Sequence, residues 1–296
     1  MFWDAVAFRA VCLTVASISL PAMPCTGLDE RALAGTLSSI AFFMIIGLVA
    51  GLHAALYGAY KDSPHESFLM RRFVRELVFS TSVAAVLATL HLADGQTLFV
   101  VYLSVFALSR IITEFWKLFL RVEPQEGYRI PTQIHWVKGV VSNPFIRVGM
   151  GIGFVSGIYG CYCLFRMLPR SLPSPAIGLI VGGGIGLVEA MAGAYKDGTI
   201  EGFSFVKFLK SPTFGALGGI VAAFHTTNLA FLLLASIGSM RMFNELFFKI
   251  LVRNYTPGKF KSLTGPFQEW MTRRRQFLAP YAATWVLYLF LSLRLA

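Results

Sequence analysis

The sequence predicts an all-α polytopic membrane protein, with about nine transmembrane helices in two parallel tandem repeats of four plus a C-terminal helix. Three observations predict it. Only 14% of the 296 residues are charged, 56% are hydrophobic, and the mean hydropathy is +0.65. A soluble domain carries about 25% charged residues, and no polar half exists here that would fold apart from the rest. Apolar runs recur along the whole chain at lengths suited to about 30 Å of hydrocarbon. One stretch of sequence also occurs twice.

The first apolar run, 5–24, follows the N-terminus and Arg9. A secretory signal has a similar outline, but Pro24 and Cys25 make a poor cleavage site. The repeat argues for a retained helix. Further spans are expected at 37–60, 73–92, 97–120, 145–168, 175–195, 212–226, 228–251 and 279–295. Runs 73–92 and 212–226 look short. Each follows basic residues (Arg71, Arg72 and Arg75; Lys207 and Lys210) whose side chains can snorkel to the headgroups, so both helices are expected to begin earlier than their apolar runs.

The duplication is carried by Gly58-Ala59-Tyr60-Lys61-Asp62, which returns as Gly193-Ala194-Tyr195-Lys196-Asp197, 135 positions on. Nine of the 22 positions from Gly58 to Phe79 are identical at that offset, among them Glu66 with Glu201 and Phe68 with Phe203. At an offset of 131, Arg110 falls on Arg241, Glu114 on Glu245 and Gly127 on Gly258. The expected organisation is a first four-helix repeat (1–125), a cytoplasmic linker (126–143), a second four-helix repeat (144–256), an interfacial segment (257–278) and a terminal helix (279–296). With the N-terminus inside, the cytoplasmic segments carry 20 Lys and Arg and the opposite side four. The positive-inside rule therefore places the N-terminus on the cytoplasmic face. Four helices separate equivalent points of the two copies, so the repeats come out parallel rather than inverted.

A net charge of +11 would suggest nucleic acid in a soluble protein. Here the basic residues lie between apolar runs, so no nucleic acid is expected. The expected partners are membrane lipids, with anionic headgroups at the cytoplasmic face, and further protein subunits. The Arg273-Arg274-Arg275 run reads first as a topology anchor. Cys161 and Cys163 lack the spacing of a zinc or redox pair and, with Cys12 and Cys25, read as small packing residues.

Candidate binding or gating residues fall into three groups. Lys61, Asp62 and Glu66, with Lys196, Asp197 and Glu201, mark the turn after each repeat's second helix. They form either locally paired ends of the next helix, favoured by its dipole, or a gate built by both copies. The adjacent lysines already neutralise the acids, so no metal is expected. Arg110 with Glu114, and Arg241 with Glu245, are spaced four apart on one helical face. They read as self-paired struts, or as part of a polar pathway or of a clamp between each repeat's second and fourth helices. Glu189 is the one acid deep in an otherwise apolar span. Such a group is a functional candidate by default, or it locks against His53 across the pseudo-twofold axis.

Gly149, Gly153 and Gly157, like Gly182 and Gly186, repeat at four, the spacing of close helix packing. His91 and His225 read as wet interfacial side chains. No nucleophile elbow, HExxH, CxxC or dinucleotide motif occurs, and no cofactor is expected. Three functions stay open. A transporter or channel for a small solute or ion, with a path along the pseudo-twofold axis, suits a duplicated fold. A structural or assembly subunit suits the balanced charges. A membrane enzyme on a lipid or polyprenyl phosphate headgroup would use Lys61, Arg72, Lys196 and Lys207 to hold phosphate, with Asp62 or Asp197 as base.

Overall fold

A computed structural model describes residues 30–62, 68–122, 124–126, 128, 130–136, 139–169, 171–247 and 274–293; for 30–39, 197 and 199–201 it describes the backbone only. The expected helix 5–24 and most of segment 257–278 lie outside the described residues.

The described chain is almost entirely helical. Its helices are α1 (Glu30–Asp62), α2 (Met70–Thr89), α3 (Leu98–Phe115), α4 (Pro144–Arg166), α5 (Ser174–Glu201), α6 (Phe205–Ala223), α7 (Leu229–Glu245) and α8 (Leu278–Leu293). Among the described residues, five stretches are long and apolar enough to cross a membrane: Ile40–Asp62, Leu98–Leu120, Pro144–Arg166, Ser174–Lys196 and Arg274–Leu293. Together they give the chain the build of an integral, multi-pass membrane protein. Helices α2 and α6 do begin before their apolar runs, on Met70 and Phe205.

Capping residues set several helix starts. Thr97 accepts from the Val100 amide (3.4 Å) at the head of α3. Asn143 caps α4 through the amides of Phe145 (2.9 Å) and Ile146 (3.3 Å), with Pro144 at the first helical position. Asn228 does the same for α7 through Ala230 (3.0 Å). A wider, π-type turn, Trp116–Leu120, continues α3.

Helix pairs close where side chains are absent. Lipid is as apolar as leucine, so close backbone packing takes over from hydrophobic burial as the force between helices. A Cβ on Gly47 would lie 2.6 Å from Ala84 Cβ and 2.7 Å from Ser80 O; one on Gly51 would lie 2.8 Å from Glu76 O. This is the α1–α2 crossing. At α5–α6 a Cβ on Gly182 would meet the Gly215 carbonyl, and one on Gly186 the Ser211 carbonyl. Gly182 and Gly186 stand 135 positions after Gly47 and Gly51, and Gly215 and Ser211 stand 135 after Ser80 and Glu76.

Helix α3 is the centre of the bundle. Phe99, Tyr102, Leu103 and Phe106 are each at most 1% exposed. It packs along α7 at three levels. Thr226 donates to Gln96 (2.7 Å) just before the two helices, a Cβ on Gly238 would meet the Leu103 carbonyl midway, and Arg110 lies 3.9 Å from Glu245 at the far ends. The two helices therefore run parallel.

Some expectations fail. A Cβ on Gly149, Gly153 or Gly157 would meet nothing within 4 Å; the packing glycine of α4 is Gly151, 3.1 Å from Phe115 and Phe119. Spacing alone identified a small-residue stripe but not which stripe faces a neighbour. Cys163 is likewise exposed rather than packed. His225 is buried, with Nε2 3.0 Å from the Ser292 carbonyl and its ring against Phe99, and so joins the end of α6 to α8. His91 is exposed, 3.0 Å from Asp94, in the turn that ends α2. Nor is the chain wholly helical. His135–Trp136 and Gly139–Val140 pair antiparallel within the 126–143 linker.

Candidate functional site

The C-terminal ends of α1, α3 and α5 and the N-terminal ends of α2 and α6 meet at one end of the bundle, because α1–α2 and α5–α6 are antiparallel hairpins. This end bears most of the described basic residues. The linker folds back beneath it. Ile134 N donates to Leu118 O (3.0 Å), Gln133 donates to the Arg121 carbonyl (2.7 Å), and Arg147 reaches that same carbonyl. Arg121 donates to Thr132 (2.8 Å), and Tyr195 of α5 donates to the His135 carbonyl (3.3 Å) with its ring stacked on that histidine. A segment that reads as a plain connector thus ties α3 to α5.

A cavity of about 240 Å³ lies there. Lys61 of α1, Arg72 and Arg75 of α2, and Arg110, Lys117 and Arg121 of α3 and its extension line it, and Lys196 reaches it from α5. Against these seven basic side chains stand, among the described residues, three acidic ones: Asp62, Glu76 and Glu114.

Local pairs take up part of the charge. Lys61 lies 3.4 Å from Asp62, Arg75 2.8 Å from Glu76, and Lys117 3.1 Å from Glu114. Behind the cavity the charges continue inward. Arg110 stands between Glu76 (3.7 Å) and Glu245 of α7 (3.9 Å), and Glu245 lies 3.7 Å from Nε2 of the fully buried His53. The Thr284 hydroxyl donates to the Tyr281 carbonyl (2.7 Å), so it accepts from His53 Nδ1 (2.8 Å). That leaves His53 Nε2 as the nitrogen facing Glu245. An unpaired charge is costly in such surroundings, which accounts for the linked chain Arg75–Glu76–Arg110–Glu245–His53.

The expected residues therefore gather at one end, some with the partners expected and some with others. Lys61, Asp62, Arg110, Glu114, Glu189, Lys196, Arg241 and Glu245 gather at this end. Glu66 lies outside the described residues, as do the side chains of Asp197 and Glu201. Arg110 and Arg241 are not struts paired with the glutamate four positions on; their ion pairs run between helices. Arg241 Nε lies 3.3 Å from Glu189 of α5. The Glu189–His53 lock is likewise replaced, since Glu189 faces Arg241 and His53 faces Glu245 and Thr284. In each half the helix-borne arginine is met by an acid of the preceding hairpin: Glu76 on α2 in the first, Glu189 on α5 in the second. The equivalent positions are Ser211 and Ala54.

Glu76, Arg75, Lys117, Arg121 and Thr132 are site residues that sequence reasoning passed over. Glu76 has no acidic counterpart at the repeat offset, and Lys117 and Arg121 read as topology charges only. Among the described residues no group of three or more His, Cys, Asp or Glu is placed to hold a metal. No family model matches the chain, and neither a characterised protein nor a solved structure does.

Proposed function

We propose that this chain is a transporter for a small anionic solute, built from two parallel copies of one four-helix unit, with its binding site at the Lys- and Arg-rich, cytoplasmic face. The observation that carries the reading is the basic cavity: among the described residues, seven basic side chains against three acidic, six of the seven from the first half and Lys196 from the second. Guanidinium and ammonium groups converging in a partly enclosed cavity bind carboxylate or phosphate through charge-assisted hydrogen bonds. The duplicated architecture is supported by the shared 135-residue offset of both glycine crossings and by the parallel run of α3 and α7. Ions move through membranes along polar residues buried between helices, and the chain from Arg75 to His53 is such a column.

Reconstituted liposomes test this. Wild-type protein should carry radiolabelled phosphate or succinate faster than empty liposomes. Gly58→Trp should stop that flux, because a side chain on Gly58 enters open space at the cavity wall. One observation favours a second reading, a structural subunit. Lys61–Asp62, Arg75–Glu76 and Lys117–Glu114 close pairs within the chain. Folded wild-type protein that carries neither anion above background would favour that reading.

A further inference from the structure

A second cavity opens beside the first, and its chemistry is different. It measures about 470 Å³, within the roughly 300–1,000 Å³ of small-molecule sites. Its walls are mostly apolar. Phe154 and Ile158 come from α4, Ile111 from α3, Ile185 and Val188 from α5, and Ile237 from α7. Basic groups ring part of it: Lys207 and Lys210 of α6, Arg241 of α7, and Lys196. Lys196 and Glu114 line both cavities, so the apolar space adjoins the basic one through shared side chains. Helix α4 is the most peripheral of the spanning helices, with Ile146, Ile152 and Leu164 exposed on its outer side. The apolar cavity therefore lies at the flank of the bundle, between α4 and helices α3, α5, α6 and α7, where a ligand can come from the bilayer.

Resting on the anion reading, we propose that the ligand is an anionic amphiphile: a phosphate-bearing headgroup in the basic cavity and a hydrocarbon chain in the apolar one. An apolar cavity of this size is a poor place for water and a good one for hydrocarbon. Lysines and an arginine at its border complement the negative head of the same molecule. Gly193 lines the apolar cavity as Gly58, 135 positions earlier, lines the basic one, and a Cβ on either meets nothing within 4 Å. Each cavity can thus be filled separately.

The test is calorimetric titration of the full chain in detergent with inorganic phosphate, hexyl phosphate and hexanol. Each methylene that leaves water is worth about fourfold in affinity, so partial burial of the chain should make hexyl phosphate roughly ten- to a hundredfold tighter than phosphate. Gly193→Trp should erase that advantage and leave phosphate binding intact; Gly58→Trp should abolish both. If hexyl phosphate binds no tighter than phosphate, or keeps its advantage in Gly193→Trp, the amphiphile proposal falls and the anion reading stands. If neither phosphate nor hexyl phosphate binds, both fall. Wild-type protein supplies an arm that needs no variant. A diazirine-tipped hexyl phosphate should photolabel residues at 154, 158 or 185, and labelling confined to other helices would overturn the proposal.

Discussion

Arg110→Gln should destabilise the protein far more than Arg241→Gln, although the two arginines are sequence equivalents. Arg110 is 14% exposed in its side chain and stands between Glu76 and Glu245, at 10% and 8%. Without it, Glu76 keeps Arg75 at 2.8 Å, but among the described residues Glu245 is left with His53 alone, at 3.7 Å. Breaking a buried pair from one side costs about 3–5 kcal/mol, because the partner stays charged and desolvated. Arg241 and Glu189 are 35% and 25% exposed, so this pair is less desolvated than the Arg110 network and the loss should be at most about 1 kcal/mol. At about 2–4 °C per kcal/mol, Tm should fall by roughly 6–20 °C for Arg110→Gln and by no more than about 4 °C for Arg241→Gln. Adding Glu245→Gln to Arg110→Gln removes both charges and should recover more than half of the loss. Thermal unfolding by circular dichroism in one detergent reads all three. Equal losses for the two arginines, or a double variant worse than the single, would refute the buried-network argument.

Two further predictions follow from packing and topology. Gly182→Ala should cost about 1–3 kcal/mol through overpacking against Gly215, while Gly149→Ala, facing open space, should gain up to about 1 kcal/mol of helix propensity; chemical denaturation of the two variants checks the opposite signs. Single cysteines at 61 and 196 should both react with an impermeant maleimide from the same side of sealed vesicles; labelling from opposite sides would sink the parallel arrangement.

The described helices were legible because their apolar runs are read without knowing any partner, and five of them hold stretches long and apolar enough to cross a membrane. The early starts of α2 and α6 were legible for the same kind of reason, since snorkelling depends only on local sequence. Partners were not. Arg110 and Glu114 sit on one helical face, yet Arg110 reaches Glu76 on α2 and Glu245 on α7, contacts that only tertiary packing decides. Matching the sequence to itself at a fixed offset brings out residues that recur and hides those that do not. At the 135-residue offset Glu76 falls on Ser211 and Glu189 on Ala54, so neither acid recurs there. The Gly47–Gly51 crossing was hidden too, because only Gly182 and Gly186 stand in a run dense enough in glycine to be noticed.

The central claim is that the two halves build one anion site between them, and Lys196 is where it can be tested most directly. Lys196 belongs to α5 yet lines a cavity otherwise formed by the first half and the linker. Titrating inorganic phosphate into wild type and into Lys196→Gln, with equal Tm as the control for folding, measures its share. One charge-assisted contact is worth about 1.5–3 kcal/mol, so affinity should fall roughly ten- to a hundredfold. Wild-type protein that does not bind phosphate, or a Lys196→Gln variant that binds it as tightly as wild type, would contradict the claim.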